Sequence, residues 1–321
     1  MDMCSGTPQQ PAAAIDYERL AQRDPSGQVD LEDPAAVEAA IGAALTARYG
    51  DAWRRDLLAA AVGDAVAAYR GEYPGLLRCD TLYHDLRHAL ETGLTAARLI
   101  DGHGRSLPPG SAGAIDADHA LLTVLLAIFH DVGMLRRTDE ADLFGATLTP
   151  IHEERGVEFM TRYLAATPLA PLAGRAYLIM PTKLVFHIPA DWPAEDRLLG
   201  SIIASSDLLS QTADRCYLEK CRDFLFIEFS AIGLAGAPDT PYPDRETLLA
   251  KTPGFYSGLI RRRLDEEFGG VHRLMGEHFG GENPYEAAIQ RNLAYLNDIL
   301  AAKDFGRLRR RPHTYIDDAA G

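Results

Sequence analysis

Residues 116–131 read DADHALLTVLLAIFHD, and this stretch decides the fold. Between 120 and 129 every residue except Thr123 is apolar. A segment that is apolar on all sides reads as a helix buried in the middle of a bundle, not one lying on a surface. Asp116 stands where a helix N-cap is wanted. The other end runs into His130 and Asp131. A carboxylate at the end of a buried helix is costly unless it is paired or bound to a metal. The sequence offers both, an ion pair with Arg136 or Arg137 and a metal ion held with other ligands.

The neighbouring segments are helical too. Apolar residues recur at helical spacing through 35–69, with a break near Tyr49 and Gly50, and Asp80 or Thr81 can cap a helix running to about residue 100. Thr149 and Pro150 open a helix towards 164, and further helical runs cover 170–186, 195–212, 213–232, 245–267 and 284–302. Alternating β-branched runs bounded by turn residues are missing, so the expected class is all-α. The Gly/Pro-rich stretches 101–113 and 233–244 read as surface loops. This divides the chain into an N-terminal arm over 1–33, one helical domain over 34–303 and a tail over 304–321 that contains RLRRRPH.

Composition narrows the function. The 321 residues are 47% hydrophobic and 24% charged, as in ordinary folded domains. The net charge of −14 disfavours a nucleic-acid polymer, whose binding rests on cationic side chains at each phosphate. It leaves room for a small phosphorylated ligand, because a bound divalent ion reverses the local field. The 120–129 run is about half of the roughly 20 residues a membrane-spanning helix needs, so no membrane segment is expected. The opening MDMCSGTPQQ lacks a basic start and an apolar centre, which points to a cytoplasmic protein. The four cysteines form no C-x-x-C pair, and reduced thiols are expected.

Other polar residues stand out against helical surroundings. His84 and His88 are four apart, His152 follows a helix start, and Asp207 follows LLGSIIASS. Together His88, His130, Asp131 and Asp207 offer two imidazoles and two carboxylates, a mixed set suited to Zn, Mn, Fe or Mg.

The pattern H…HD…D over successive helices resembles the HD superfamily of metal-dependent phosphohydrolases, across roughly 82–227. Within it, YHDLRHA (83–89) and AIFHDVG (127–133) are similar to segments of class I cyclic-nucleotide phosphodiesterases, with Asp85 where those enzymes have Asn. PTKLVFH (181–187) and SSDLLSQTADRCYLEKCRDFLFIEF (205–229) resemble two further segments. After Asp131 those enzymes continue with another aspartate and a histidine, whereas this chain reads VGMLRR, and Gln211 and Gln290 match their base-holding glutamine by residue type alone.

The resemblance implies a compact multi-helix fold of the HD type. It also implies one or two divalent ions on His88, His130, Asp131 and Asp207, with Asp131 bridging. His84 becomes the proton donor, and His152 and His187 fall near second-shell or second-metal positions. The implied activity is hydrolysis of a small phosphate ester or phosphodiester, a nucleotide above all, by a metal-activated water. A non-catalytic metal or nucleotide sensor and an HD-type di-iron oxygenase are the alternatives. Lys183, Arg136 and Arg137 can hold phosphate oxygens or form a solvated basic turn. The segment 251–270 can line a pocket mouth or form a surface helix.

Overall fold

The computed structural model describes residues 21–108, 111 and 113–312. Among these the chain forms helices and no strand; isolated bridges, such as that between Leu76 and Arg137, are the only sheet-like pairings. In chain order the helices are α1 (Pro34–Tyr49), α2 (Arg55–Arg70), α3 (Leu86–Ser106), α4 (Ala117–Ile128), α5 (His152–Ala165) and α6 (Ala194–Ala213). A rod follows in which α7 (Tyr217–Lys220) passes through a wide turn, Cys221–Leu225, into α8 (Phe226–Ala231). The last helices are α9 (Arg245–Phe255), α10 (Leu274–His278) and α11 (Pro284–Ala302).

Local chemistry sets the ends. Asp33 accepts from the Ala35 amide at 2.9 Å and Pro34 fills the first turn of α1, where an N–H has no intrahelical partner to lose. Gly50, at φ +60°, closes that helix. The all-apolar stretch behaves as its pattern demands, with residues 120–129 buried. By length and composition Ala117–Met134 could cross a bilayer; here it is enclosed by the bundle.

α3 is the axis of the molecule. It packs against α1, α4, α6 and α10, and glycines permit the closest crossings. A Cβ on Gly93 would sit 2.4 Å from Ile128 Cγ1, and one on Gly102 would sit 1.9 Å from the Leu274 carbonyl oxygen.

Several boundaries differ from those expected. The stretch 101–113 is not a loop from its start, because α3 continues to Ser106. Gly102 and Gly104 serve close packing against α10 and the Arg48 side chain instead of breaking the helix. α3 also begins later than Asp80 or Thr81, with Asp85 as its cap accepting from the His88 amide at 2.9 Å. His84 therefore precedes the helix. Residues 170–182 form tight 3₁₀ turns, and the 213–232 run is interrupted at Asp214.

The arm and the tail are packed where they are described. Val29 and Leu31 belong to the core, and Asp24 gathers the Gln28 and Val29 amides at 2.8 and 2.6 Å while meeting Arg98 at 2.7 Å. Residues 1–20 lie outside the described residues. Leu308 is buried, and its carbonyl accepts from Arg222 at 2.9 Å. The segment 251–270 is a packing element: Tyr256, Ile260, Leu264 and Phe268 are core, and Arg263 donates to the Pro181 and Phe186 carbonyls.

Gly102→Ala tests the close crossing. Helix propensity alone favours alanine by about 1 kcal/mol, but the obstacle is backbone, and overpacking of this kind costs about 1–3 kcal/mol. Net destabilisation in urea unfolding is the expected outcome, and a stabilised variant would contradict the packing.

Candidate metal centre

The centre sits where α4 ends. Phe129 closes the helix at φ −102°, ψ 13°, and Asp131, at φ −96°, ψ 5°, leads into a single tight turn, Val132–Met134. Two consecutive polar side chains thus emerge from the end of the most apolar helix. α5 is brought close by glycine: a Cβ on Gly133 would lie 1.9 Å from the His152 carbonyl oxygen, and one on Gly156 would lie 3.2 Å from that of His130. His152, the first residue of α5, consequently reaches Asp131. His88 comes from the first turn of α3 and Asp207 from the interior of α6.

These side chains converge tightly. Asp131 Oδ2 lies 3.4 Å from His88 Nε2 and 3.1 Å from His130 Nε2. Asp207 Oδ1 lies 3.2 and 3.5 Å from the same two nitrogens. The other oxygen of Asp131, Oδ1, is 3.3 Å from His152 Nε2. One carboxylate therefore faces two imidazole sets, one on each oxygen. His88, His130, Asp131 and Asp207 are all buried.

The ring nitrogens facing away identify the tautomers. His130 Nδ1 donates to the Ala127 carbonyl at 2.8 Å and His152 Nδ1 to that of Thr149 at 2.7 Å. His88 Nδ1 lies 3.4 Å from Ser210 Oγ. With the proton on Nδ1, each Nε2 turns a lone pair towards carboxylate oxygens. His88 Nε2, His130 Nε2 and Asp131 Oδ2 are buried and have no hydrogen-bond partner. Such a set repels itself unless a cation or protons intervene.

A metal ion fits the spacing. Ligand bonds of about 2.1 Å place neighbouring donors about 3.0 Å apart at right angles and about 3.4 Å apart at the tetrahedral angle. The group His88, His130 and Asp207 could hold a metal ion, and Asp131 Oδ2 stands 3.4 and 3.1 Å from the two histidine nitrogens of that group.

Without a cation, protons take its place. Burial pushes the His88 imidazole down, but Asp131 and Asp207 outweigh it and raise it to about 9. Burial opposes His130 in the same way, and Asp131 holds it well above the ordinary value. Burial pushes Asp131 and Asp207 up, and the facing imidazoles bring both below the usual carboxylate range.

His84 stands beside this group, its ring 6.2 Å from that of His88 and 6.4 Å from that of His152. Its Nδ1 lies 2.5 Å from Glu228 Oε2, while Glu228 Oε1 accepts from the Tyr83 amide at 2.7 Å. Burial lowers the His84 imidazole, and the charges of Glu228 and Asp131 more than reverse it. Sequence reasoning missed Glu228. The available signal was an acid inside the apolar run FLFIEF, the same kind of signal that singles out Asp207.

Of the remaining candidates, His187, Lys183, Arg136 and Arg137 have partners outside the cluster. His187 is 79% exposed at its side chain, with Glu267 at 3.3 Å as its partner. Lys183 meets Glu154 at 2.7 Å, the Pro150 carbonyl at 2.9 Å and, at 3.5 Å, Glu153, which neighbours His152. Arg136 pairs with Asp80 at 3.1 Å and Arg137 with Glu158 at 2.7 Å. All three cations hold loops and helix ends. Gln211 donates to Asp207 Oδ1 and accepts from the Tyr83 hydroxyl at 3.1 Å, so it braces a candidate ligand. Cys79, Cys216 and Cys221 are free thiols.

No family model, curated protein or solved structure matches the chain.

The protonation pattern makes a prediction about pH. A raised His88 contributes stability to the metal-free fold that is full below the unfolded imidazole value of about 6.5 and is lost as the pH rises through about 9. Metal competes for the same atoms, so its stabilisation grows as those protons leave. The melting temperature of Mn²⁺-loaded protein minus that of chelator-treated protein should widen from pH 6 to pH 8.5. A flat difference would mean that the ion sits elsewhere.

Proposed function

We propose that the protein is a metal-dependent phosphohydrolase acting on a small phosphate ester or phosphodiester, with a nucleotide as the preferred substrate class. The observation that carries this reading is Asp131, whose two oxygens face separate imidazole sets beside a histidine–glutamate pair. His88, His130, Asp207 and Asp131 Oδ2 would hold one divalent cation of the Zn, Mn, Fe or Mg type, and Asp131 Oδ1 with His152 would offer donors to a second. Divalent ions in such a site supply a water whose pKa is lowered towards neutrality and offset charge on a phosphoryl group.

The protein's own groups cover the rest of the chemistry. His84 donates its Nδ1 proton to Glu228, which fixes the ring and leaves Nε2 to carry the mobile proton. The raised affinity of His84 for that proton keeps it an acid near neutral pH, as a leaving alkoxide requires. Glu228 is itself anchored by the Tyr83 amide, next in sequence to the histidine it orients. Glu228 is buried and the His84 side chain is 16% exposed, so bulk water reaches the ring but not the carboxylate that orients it.

Asp131→Ala tests the reading directly. The purified wild type should contain transition metal and hydrolyse bis-p-nitrophenyl phosphate with Mn²⁺, and the variant should lose both. Wild type that holds metal, fails to cleave a broad phosphate panel and consumes oxygen with Fe²⁺ would replace hydrolysis with oxygen chemistry. Wild type that holds metal and does neither would point to a sensor.

Glu228→Gln separates positioning from metal binding. Removing the charge should leave metal content unchanged, lower kcat by about 10²-fold and move the alkaline limb of the kcat profile to lower pH, because His84 loses the charge that raises it. An unchanged alkaline limb would exclude His84 as the acid.

A further inference from the structure

A cavity of about 260 Å³ opens between residues 23–27, the corner at 213–215, α11 and Arg310. Four arginines line it, Arg23, Arg215, Arg291 and Arg310, against one acid, Asp24. The chain as a whole carries 46 acidic against 32 basic residues, so this local balance runs opposite to the rest of the protein.

The acid does not neutralise the cavity. Asp24 is buried, and its charge is taken up by Arg98 at 2.7 Å together with the amides of Gln28 and Val29. Neutral groups position Arg23 and Arg310, and Arg310 also stands near the buried Glu219, whose carboxylate accepts from the Arg310 amide at 3.2 Å. Arg23 donates to the Gln28 carbonyl at 3.2 Å, and Arg310 donates to the Arg215 carbonyl and lies over the Tyr295 ring at 5.3 Å. Arg291 is exposed on α11. Guanidinium groups fixed by carbonyls and an aromatic face keep their charge and their planar donor forks, the arrangement that suits phosphate oxygens.

We propose that this cavity is a second anion site, separate from the metal centre, that takes a di- or triphosphate group. Its volume falls below the roughly 300 Å³ at which pockets for whole drug-sized ligands begin, so it accommodates phosphoryl groups and not a complete nucleotide. The group comes either from a free polyphosphate or from the tail of a nucleotide whose base stays outside. Residues 213–215 follow directly on α6, which carries Asp207, and Asp214 is tied to Lys220 at 2.6 Å. A bound anion would join the N-terminal segment, α11 and Arg310 to that corner.

The test is calorimetric titration of the full chain with methylenediphosphonate, whose P–C–P bridge resists hydrolysis. Wild type and the Asp131→Ala variant, both after chelation so that neither binds the probe through a metal, should each take up one equivalent. Arg23→Glu/Arg291→Glu, treated with chelator in the same way, should bind at least tenfold more weakly with an unchanged circular dichroism spectrum. Competition by ADP supports the site with a nucleotide tail as its occupant, and lack of competition supports it with a free polyphosphate. Absence of saturable binding after chelation, or equal binding by the arginine variant, overturns the proposal.

Discussion

The constraint on which the structure depends is the burial of Asp131 just past the end of α4, the most apolar helix. Two carboxylates and three imidazoles meet there, and three of the facing atoms, His88 Nε2, His130 Nε2 and Asp131 Oδ2, lack a hydrogen-bond partner. Isolated charges do not survive in such surroundings, so every neighbouring element is arranged to compensate. α3 presents His88 from its first turn, α6 presents Asp207 from its middle, and α5 presents His152 because Gly133 lets its backbone approach. The outer ring nitrogens are held by carbonyls of Ala127 and Thr149, which fixes what the inner nitrogens can do.

A second buried charge group supports the first from behind. Arg87, next to His88, approaches Asp214 at 3.7 Å and Glu32 at 3.7 Å, and Lys220 joins Asp214 at 2.6 Å. Burial pushes Asp214 up, but Arg87 and Lys220 bring it down to about 2, whereas burial and Asp214 raise Glu91 to about 8. Glu91 is thus biased towards its protonated form, and Arg87 and Lys220 answer to the charges of Asp214 and Asp85, with Glu32 also facing Arg87. This balance binds α3 to the corner between α6 and α7 and to the N-terminal segment, which delivers the Ala21 carbonyl to Arg87 at 2.9 Å. The orientation of His88 is thereby set from outside the centre as well as within it.

How much of this was legible in the sequence follows from where each signal resides. α4 could be read because its apolarity is local, and His88, His130, Asp131 and Asp207 stood out because polar groups amid apolar helix residues are expensive. Glu228 gave the same signal in FLFIEF, yet its meaning depends on His84, 144 positions away, and no local pattern reports that. Gly102 and Gly104 suggested a loop because glycine commonly ends helices; their role here is to admit Leu274 and Arg48, which is a tertiary fact. His187 had the right chemistry at an implied position, but the chain turns it out to solvent beside Glu267. Residues 21–33 lack periodicity and so read as an arm, although Val29, Leu31 and Asp24 anchor them in the core.

Net charge links the site to the surface. A protein at −14 repels phosphorylated molecules over most of its exterior. On the functional reading proposed above, attraction is local, and two places would provide it by different means. At the centre, carboxylates and imidazoles assemble a ligand set that is itself anionic or neutral and becomes attractive to phosphate only when loaded with cations. At the arginine cavity the positive charge is permanent, because guanidinium does not titrate in this range and the one acid lining it is already satisfied by Arg98. On the same reading, interaction with phosphate at the first place would depend on metal supply and pH, whereas at the second it would depend chiefly on ionic strength. These different dependences follow from the residues themselves, since one site is built from groups that exchange protons and the other from groups that do not.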